Sequence, residues 1–155
     1  MFDINSHEAR QFFANVWANR FAPHLDALQT RVLEIVLAHP EYHVYLEKID
    51  DYVDYQWLPE HGQTNPFLHI SLHLSLKEQV GIDQPFGIAD IHQKLVQKHG
   101  DWHAAEHMMM DALVETIWQA QKHGQGLDVN NYMTYLRRLV DLGQEDNARL
   151  NPHEV

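Results

Sequence analysis

Apolar residues recur at helical spacing through most of the chain, and no segment shows the strict alternation of a half-buried strand. In one segment Leu25, Leu28, Val32, Ile35 and Val36 fall on a single helix face, with polar residues between them. The same spacing returns in the later segments. The pattern therefore predicts an all-α, single-domain helical bundle of about six or seven helices joined by short connections.

Capping and helix-breaking residues divide this pattern into separate helices. The predicted helices run from Ser6 to Phe21, Pro23 to Pro40, Pro40 to Ile49, Asn65 to Val80, Pro85 to His99, Asp101 to His123 and Asp128 to Gly143. The acidic and aromatic segment 50–64 is predicted to be a loop. We expect one domain over residues 1–155, with a frayed tail over 144–155.

Composition excludes several classes of protein. The sequence has no cysteine, so disulfides, thiolate zinc sites and cysteine nucleophiles are absent. The formal charge of −11, from 22 acidic and 11 basic residues, argues against a nucleic-acid partner. No apolar stretch is long enough to span a membrane. The first residues lack a basic region followed by an apolar run, so we expect no signal peptide and a cytoplasmic location.

Histidine is unusually frequent, with 13 residues in 155, and its spacing carries the candidate chemistry. About one His-x-x-x-His pair would arise by chance at this frequency. The sequence contains four such pairs, at 39/43, 69/73, 99/103 and 103/107. Pro40 interrupts the first pair, and Gly100 with Asp101 interrupts the third. The two remaining pairs can each lie on one continuous helix, where imidazoles four residues apart share a face.

The first of these pairs lies in the helix predicted from Asn65 to Val80. His69 and His73 share a sector of this helix with Leu76, which predicts that both imidazoles are buried. Ser71 and Ser75 fall on the opposite side, which is predicted to face solvent.

The second pair lies in the helix predicted from Asp101 to His123. His103 and His107 share their sector with Val114 and Trp118, and Glu106 lies on the same stripe. We predict that the imidazoles of the two helices point inward and converge on a common point. Two imidazole pairs that meet in this way can bind one cation.

A carboxylate on an apolar stripe needs an explanation, because buried carboxylates are almost always paired. Glu106 is interpreted in three ways: it ligates a metal, it accepts hydrogen bonds from a neighbouring imidazole or arginine, or the stripe edge is wetter than the helical wheel suggests. In the first case the metal site comprises His69, His73, His103, Glu106 and His107. Imidazole and carboxylate ligands without sulfur suit zinc, iron, nickel or manganese.

Two functions are compatible with this pattern. The first is a metal-binding helical bundle, which would be a small metal-dependent enzyme if a coordination position held water and Glu106 served as ligand or general base. The second is a non-catalytic interaction module, in which the histidines form a buried polar network. Tyr52, Tyr55 and Trp57 would then contact a protein partner, since such residues anchor interfaces. The sequence leaves the substrate and a homo-oligomeric state open.

The runs NPFLHISLHLSLKEQ and HAAEHMMMDALVETIWQAQ resemble a family of small bacterial proteins that is described only as a domain of unknown function. The resemblance spans nearly the whole chain and implies a bacterial cytosolic protein without an assigned activity. A looser architectural likeness is to the DinB-type metal-binding helical bundles, in which histidines from separate helices bind one divalent ion. That likeness implies the same kind of site here by analogy of architecture.

Overall fold

The computed structural model describes residues 6–149, and this part of the chain contains helices and loops but no strand. The α-helices are α1 (His7–Ala18), α2 (Ala27–Leu37), α3 (His43–Glu47), α4 (Ile49–Tyr52), α5 (Pro66–Ile82), α6 (Ile88–His99), α7 (Trp102–His123) and α8 (Val129–Arg149). Short 3-10 turns occur at Pro40–Tyr42 and Pro59–His61. The predicted all-α fold class is confirmed. The third predicted helix is instead one 3-10 turn followed by α3 and α4.

The chain consists of two compact units, residues 1–77 and residues 78–155. Helix α5 contributes residues to both units. The prediction of a single domain stays a prediction. Within residues 6–149, no helix has both the length and the apolar content needed to cross a lipid bilayer. The cytoplasmic location likewise stays a prediction.

In the first unit, α1 packs against α2, α3 and α4. Helix α1 begins as predicted, since the Ser6 side chain accepts a hydrogen bond from the Ala9 backbone at 3.0 Å. Helix α2 begins later than predicted. Asp26 and Gln29 form a capping box, in which each side chain accepts from the other residue's backbone N–H. Because this box satisfies the first free amides of the helix, Pro23 precedes α2 and does not open it.

A buried arginine ties α1 to the segment after α4. The Arg10 side chain is 2% exposed, and its Nη1 donates hydrogen bonds to the Tyr52 and Tyr55 carbonyl oxygens at 2.9 and 2.6 Å. Its guanidinium also lies over the rings of Trp57 and Phe67, at 5.3 and 4.9 Å from their centroids. The aromatic part of the predicted loop is therefore held against the body of the first unit.

Helix α5 is more buried than its sequence predicts. Asn65 caps its first turn, since the Asn65 Oδ1 atom accepts from the Phe67 backbone at 2.9 Å. From residue 70 to residue 74 every side chain is buried, and Ser71 is among them. The prediction that Ser71 faces solvent is wrong. A helical wheel assumes that one face of the helix is exposed to solvent. In this stretch of α5 every face is covered, so the assumption does not hold.

In the second unit, α6, α7 and α8 pack against one another. Gly100 adopts a left-handed conformation with φ 95° and ends α6 as predicted. Asp101 caps α7 by accepting from the Ala104 backbone at 2.7 Å. Helix α8 continues through Gly143 to Arg149, so its predicted end at Gly143 is wrong. Of the predicted tail, residues 150–155 lie outside the described residues.

The buried face of α7 differs from the predicted one. Val114 and Trp118 were expected in the core, but they are 46% and 50% exposed. The buried face instead carries Glu106, Met109 and Leu113. The buried face is therefore rotated by about one residue from the predicted face, which contained His103 and His107. The burial of Glu106 is confirmed, and His103 and His107 lie at the edge of this face.

Tyr132 of α8 provides a test of the second unit at high pH. Its side chain is buried and donates a hydrogen bond to the Gln79 Oε1 atom at 2.7 Å, and burial raises the pKa of its phenol well above the usual value. The folded state therefore holds this proton more tightly than the unfolded state. We expect the free energy of unfolding to fall as pH rises above about 10, because only the unfolded chain then ionises readily.

Urea unfolding at pH 8 and pH 10.5 measures this loss, and Tyr132→Phe is the matched variant. The variant should lose less stability than the wild type between these two pH values. An equal loss in both proteins would contradict the assignment to Tyr132.

Candidate metal centre

Three imidazoles lie in mutual contact in the first unit. His39 follows the last turn of α2, and His69 and His73 lie one turn apart on α5. The ring centroids are 4.7 Å apart for His39 and His69, 5.0 Å for His39 and His73, and 4.9 Å for His69 and His73. His39 and His73 are buried, and His69 is half-buried. The predicted pair on α5 therefore has a third imidazole beside it.

Hydrogen bonds fix the orientation of His39. Its Nδ1 atom lies 2.7 Å from the Ile35 carbonyl oxygen, which can only accept. Nδ1 therefore carries the hydrogen, and in the neutral ring Nε2 holds a lone pair. This Nε2 atom lies 3.0 Å from the Nε2 atom of His69, which must then be the donor. A backbone carbonyl that holds Nδ1–H in this way is the usual support of an imidazole that ligates through Nε2.

Tyr42 supports the same group from the side. Its ring stacks on His39 with centroids 5.1 Å apart and an interplanar angle of 2°, and it meets His69 edge-on at 5.6 Å. Burial, followed by the charge of Glu41, raises the pKa of the Tyr42 phenol to about 12. The phenol is therefore neutral near pH 7. It packs against the imidazoles and offers no phenolate ligand.

The second unit contains the other predicted pair and Glu106. The His103 and His107 rings have centroids 4.2 Å apart, as expected for residues one turn apart on α7. His103 is half-buried, whereas His107 is exposed. The buried Glu106 carboxylate lies 3.5 Å from the Nε2 atom of His92, which α6 supplies. This contact places an imidazole beside the carboxylate, as the second interpretation of Glu106 requires, but at 3.5 Å the His92 Nε2 atom makes no hydrogen bond to it, so that interpretation stays a prediction.

The three imidazoles of the first unit bring potential ligand atoms together. The Nε2 atoms of His39 and His69 lie 3.0 Å apart, and the His73 ring centroid lies 5.0 and 4.9 Å from the centroids of those two rings. Nitrogens that share a tetrahedral ion lie about 3.4 Å apart, since each is about 2.1 Å from the metal. The group can therefore hold a metal ion.

Two of the five predicted ligands, His69 and His73, belong to this group. His103, Glu106 and His107 lie in the second unit, and the predicted convergence of the two histidine pairs stays a prediction. The ligation of metal by any of these five residues stays a prediction, and so does the catalytic role of Glu106.

The sequence matches the family described as Domain of unknown function (DUF1841) over residues 5–138. The chain belongs to this family. The predicted resemblance to a family of unknown function is thereby confirmed. No curated protein matches this DUF1841 chain, and no solved structure matches it. The analogy to DinB-type bundles and the bacterial origin stay predictions.

Sequence reasoning missed His39 in this DUF1841 member. The pair 39/43 was set aside because Pro40 interrupts it, and His43 indeed turns elsewhere, with its Nε2 atom 2.9 Å from the Val36 carbonyl oxygen. His39 does not need His43, however. It lies four residues after Ile35 and three after Val36, so the apolar face of α2 points to it directly. The position of His39 on the apolar face of α2 could therefore have predicted from the sequence that this imidazole is buried.

Proposed function

We propose that this protein binds one divalent transition metal ion through His39, His69 and His73. The observation that carries the proposal is the mutual contact of these three imidazoles, whose ring centroids lie 4.7, 5.0 and 4.9 Å apart. Neutral imidazoles offer lone pairs to a cation, and a set of three leaves one position of a tetrahedral ion open to water. The net charge of −11 further favours cation uptake over anion uptake.

The surroundings of these histidines support the proposal. The Ile35 carbonyl oxygen holds the His39 ring in the tautomer that has its lone pair on Nε2, the atom that contacts His69. The parallel Tyr42 ring limits rotation of the same imidazole. The order thus imposed on His39 before binding lowers the entropy that metal binding must remove.

The ligand chemistry favours borderline metals. Imidazole nitrogens suit zinc, iron and nickel, and manganese is compatible if water or a carboxylate completes the coordination. A bound ion would act as a Lewis acid and lower the pKa of a coordinated water molecule. The service of Glu106 as ligand or general base is a separate, finer hypothesis, and its observed neighbour is His92 of the same unit.

Metal analysis of untagged protein, purified without a nickel column, tests the proposal. We expect about one equivalent of a transition metal per chain, or uptake of one equivalent on addition. Metal at 100 times its Kd should raise the free energy of unfolding by about 2.7 kcal/mol. Less than about one tenth of an equivalent, with no thermal shift on addition of zinc, iron, nickel or manganese, would refute metal binding.

If the protein binds no metal, the interaction-module hypothesis is the alternative. Its supporting observation is the hydrogen bond between His39 and His69, which already gives the imidazoles a polar network without metal. Tyr55 is 37% exposed and could contact a partner, whereas the rings of Tyr52 and Trp57 also pack on one another. Under this hypothesis His69→Ala and Glu106→Gln change the free energy of unfolding and leave metal content at zero.

A further inference from the structure

Phe86 is an aromatic side chain that the second unit leaves almost fully exposed. It is 87% exposed, and it lies at the edge of a groove of about 400 Å³ between α6 and α8, the α6–α8 groove. Phe21 of the first unit is 85% exposed, but the Arg20 guanidinium covers its ring at 4.8 Å from the centroid. An uncovered aromatic ring beside a concave surface is typical of an interaction site.

Hydrogen bonds hold the segment that carries Phe86. The Asp83 Oδ1 atom accepts from the backbone N–H groups of Gly87 and Ala89 at 3.1 and 3.0 Å. These two bonds join the residues before Phe86 to the residues that follow it. An anchor that is ordered before binding loses less conformational entropy when it binds.

The α6–α8 groove is electrically balanced, although the protein is strongly acidic. Two acidic and two basic residues line it, whereas the whole chain has 22 acidic and 11 basic residues. A second copy of the chain carries the same net charge of −11 and is repelled over most of the surface. At this groove the repulsion is smallest. The charged lining residues are Asp90 and Lys94 on α6, and Arg137 and Asp141 on α8.

The charges on α8 complement their own pattern. Arg137 and Asp141 are four residues apart and therefore lie on the same side of the helix. Among the residues that the structure describes, neither of these two side chains forms an ion pair or a hydrogen bond. Asp90 and Lys94, in contrast, pair with each other at 3.0 Å. When two copies of α8 meet antiparallel about a twofold axis, Arg137 of each faces Asp141 of the other.

We propose that the protein forms a symmetric dimer through the α6–α8 groove, with Phe86 of each copy seated in the groove of the other. Two pairs of Arg137 with Asp141 lie on opposite sides of the twofold axis. The groove volume falls within the range of pockets that hold small molecules, about 300–1,000 Å³, so one phenyl ring fits. This dimer does not depend on the metal ion of the proposed function.

Sedimentation equilibrium of the full chain tests the dimer. The patch is small, so we expect a weak dimer with a Kd of about 10 μM. Phe86→Ser should raise this Kd at least about tenfold, because it removes the aromatic anchor. Phe21→Ser is the matched control and should leave the Kd unchanged. Both positions are so exposed that the substitutions should not disturb folding, which circular dichroism checks.

Three results of this experiment would overturn the dimer. The first is a wild type that stays monomeric up to about 300 μM, well above the Kd expected for a weak interface. The second is an unchanged Kd in Phe86→Ser. The third is an equal rise of the Kd in Phe86→Ser and Phe21→Ser, which would indicate unspecific association of exposed aromatic rings.

A charge swap tests whether the contact is symmetric. Arg137→Asp and Asp141→Arg each place like charges opposite one another on both sides of the twofold axis, and each should raise the Kd about tenfold. Asp141→Arg should do so although it lowers the net negative charge. The double variant restores opposite charges and should return the Kd to within about twofold of the wild type. A double variant as weak as the single variants would overturn the antiparallel contact and the proposal with it.

Discussion

Replacement of His69 and His73 together by alanine is expected to abolish metal uptake, from about one equivalent per chain to less than about one tenth. The double variant leaves only His39 of the three clustered imidazoles, and one ligand does not hold a transition metal against water and buffer. The metal-dependent gain in the free energy of unfolding, about 2.7 kcal/mol at 100 times Kd, should disappear with it. Metal analysis and thermal unfolding with and without added metal measure both effects.

The control must lose the same number of histidines without touching the cluster. His24 and His123 are both exposed, so His24→Ala with His123→Ala serves this purpose and should retain full uptake. His73 is buried, and its loss also leaves a cavity, so far-UV circular dichroism must show that the double variant is folded. The single variant His69→Ala alters the half-buried member of the group and should weaken binding at a lower cost in stability. Equal loss of metal in the control would show surface adsorption and contradict the site.

The second large effect concerns Arg10. Arg10→Met is expected to lower the free energy of unfolding by about 3 kcal/mol, because it removes donors from buried carbonyl groups and a cation from two aromatic faces. The Tyr52 and Tyr55 carbonyls lose their short hydrogen bonds, and Trp57 and Phe67 lose the guanidinium that lies over their rings. Arg10→Lys keeps the charge but lacks the planar arrangement of N–H donors. Its free energy of unfolding should therefore lie between those of the wild type and Arg10→Met.

Urea unfolding with intrinsic tryptophan fluorescence measures the change, since Trp57 is part of the affected cluster. Arg20 offers a matched control on the same stretch of chain. It also lies over aromatic rings, those of Trp17 and Phe21, but it is half-exposed and bonds to a carbonyl only three residues away. Arg20→Met should cost less than about 1 kcal/mol. Equal costs for the two variants would show that burial of Arg10 adds nothing to its contribution.

The sequence predicted the fold class and several helix ends because these depend on local chemistry. Ser6, Asn65 and Asp101 each cap a helix through their own side chains, and Gly100 ends α6 through a backbone conformation that it adopts easily. Such signals lie within a few residues of the boundary that they determine. The end of α8 was missed because a glycine lowers helix propensity by only about 1 kcal/mol, which packing can offset.

The candidate site was predicted only in part, for reasons that are not local. A helical wheel assumes one buried face, and that assumption failed for Ser71 on α5, where no face is wet, and for Trp118 on α7, where the buried face is rotated. Which residues surround a helix depends on tertiary packing, and a single sequence does not state this. His39 was missed for another reason: it has no imidazole neighbour on its own helix, and its imidazole neighbours lie on α5.

The three clustered histidines differ in their contact with solvent, and this difference bears on how quickly an ion enters and leaves. His39 and His73 are buried, whereas His69 is half-buried. An arriving ion can bond to His69 while it still retains most of its hydration water, and it can then lose that water stepwise as the inner imidazoles replace it. Small chelators can reverse the same sequence from outside. A centre built in this way exchanges its metal with the surroundings and does not require the chain to unfold for loading.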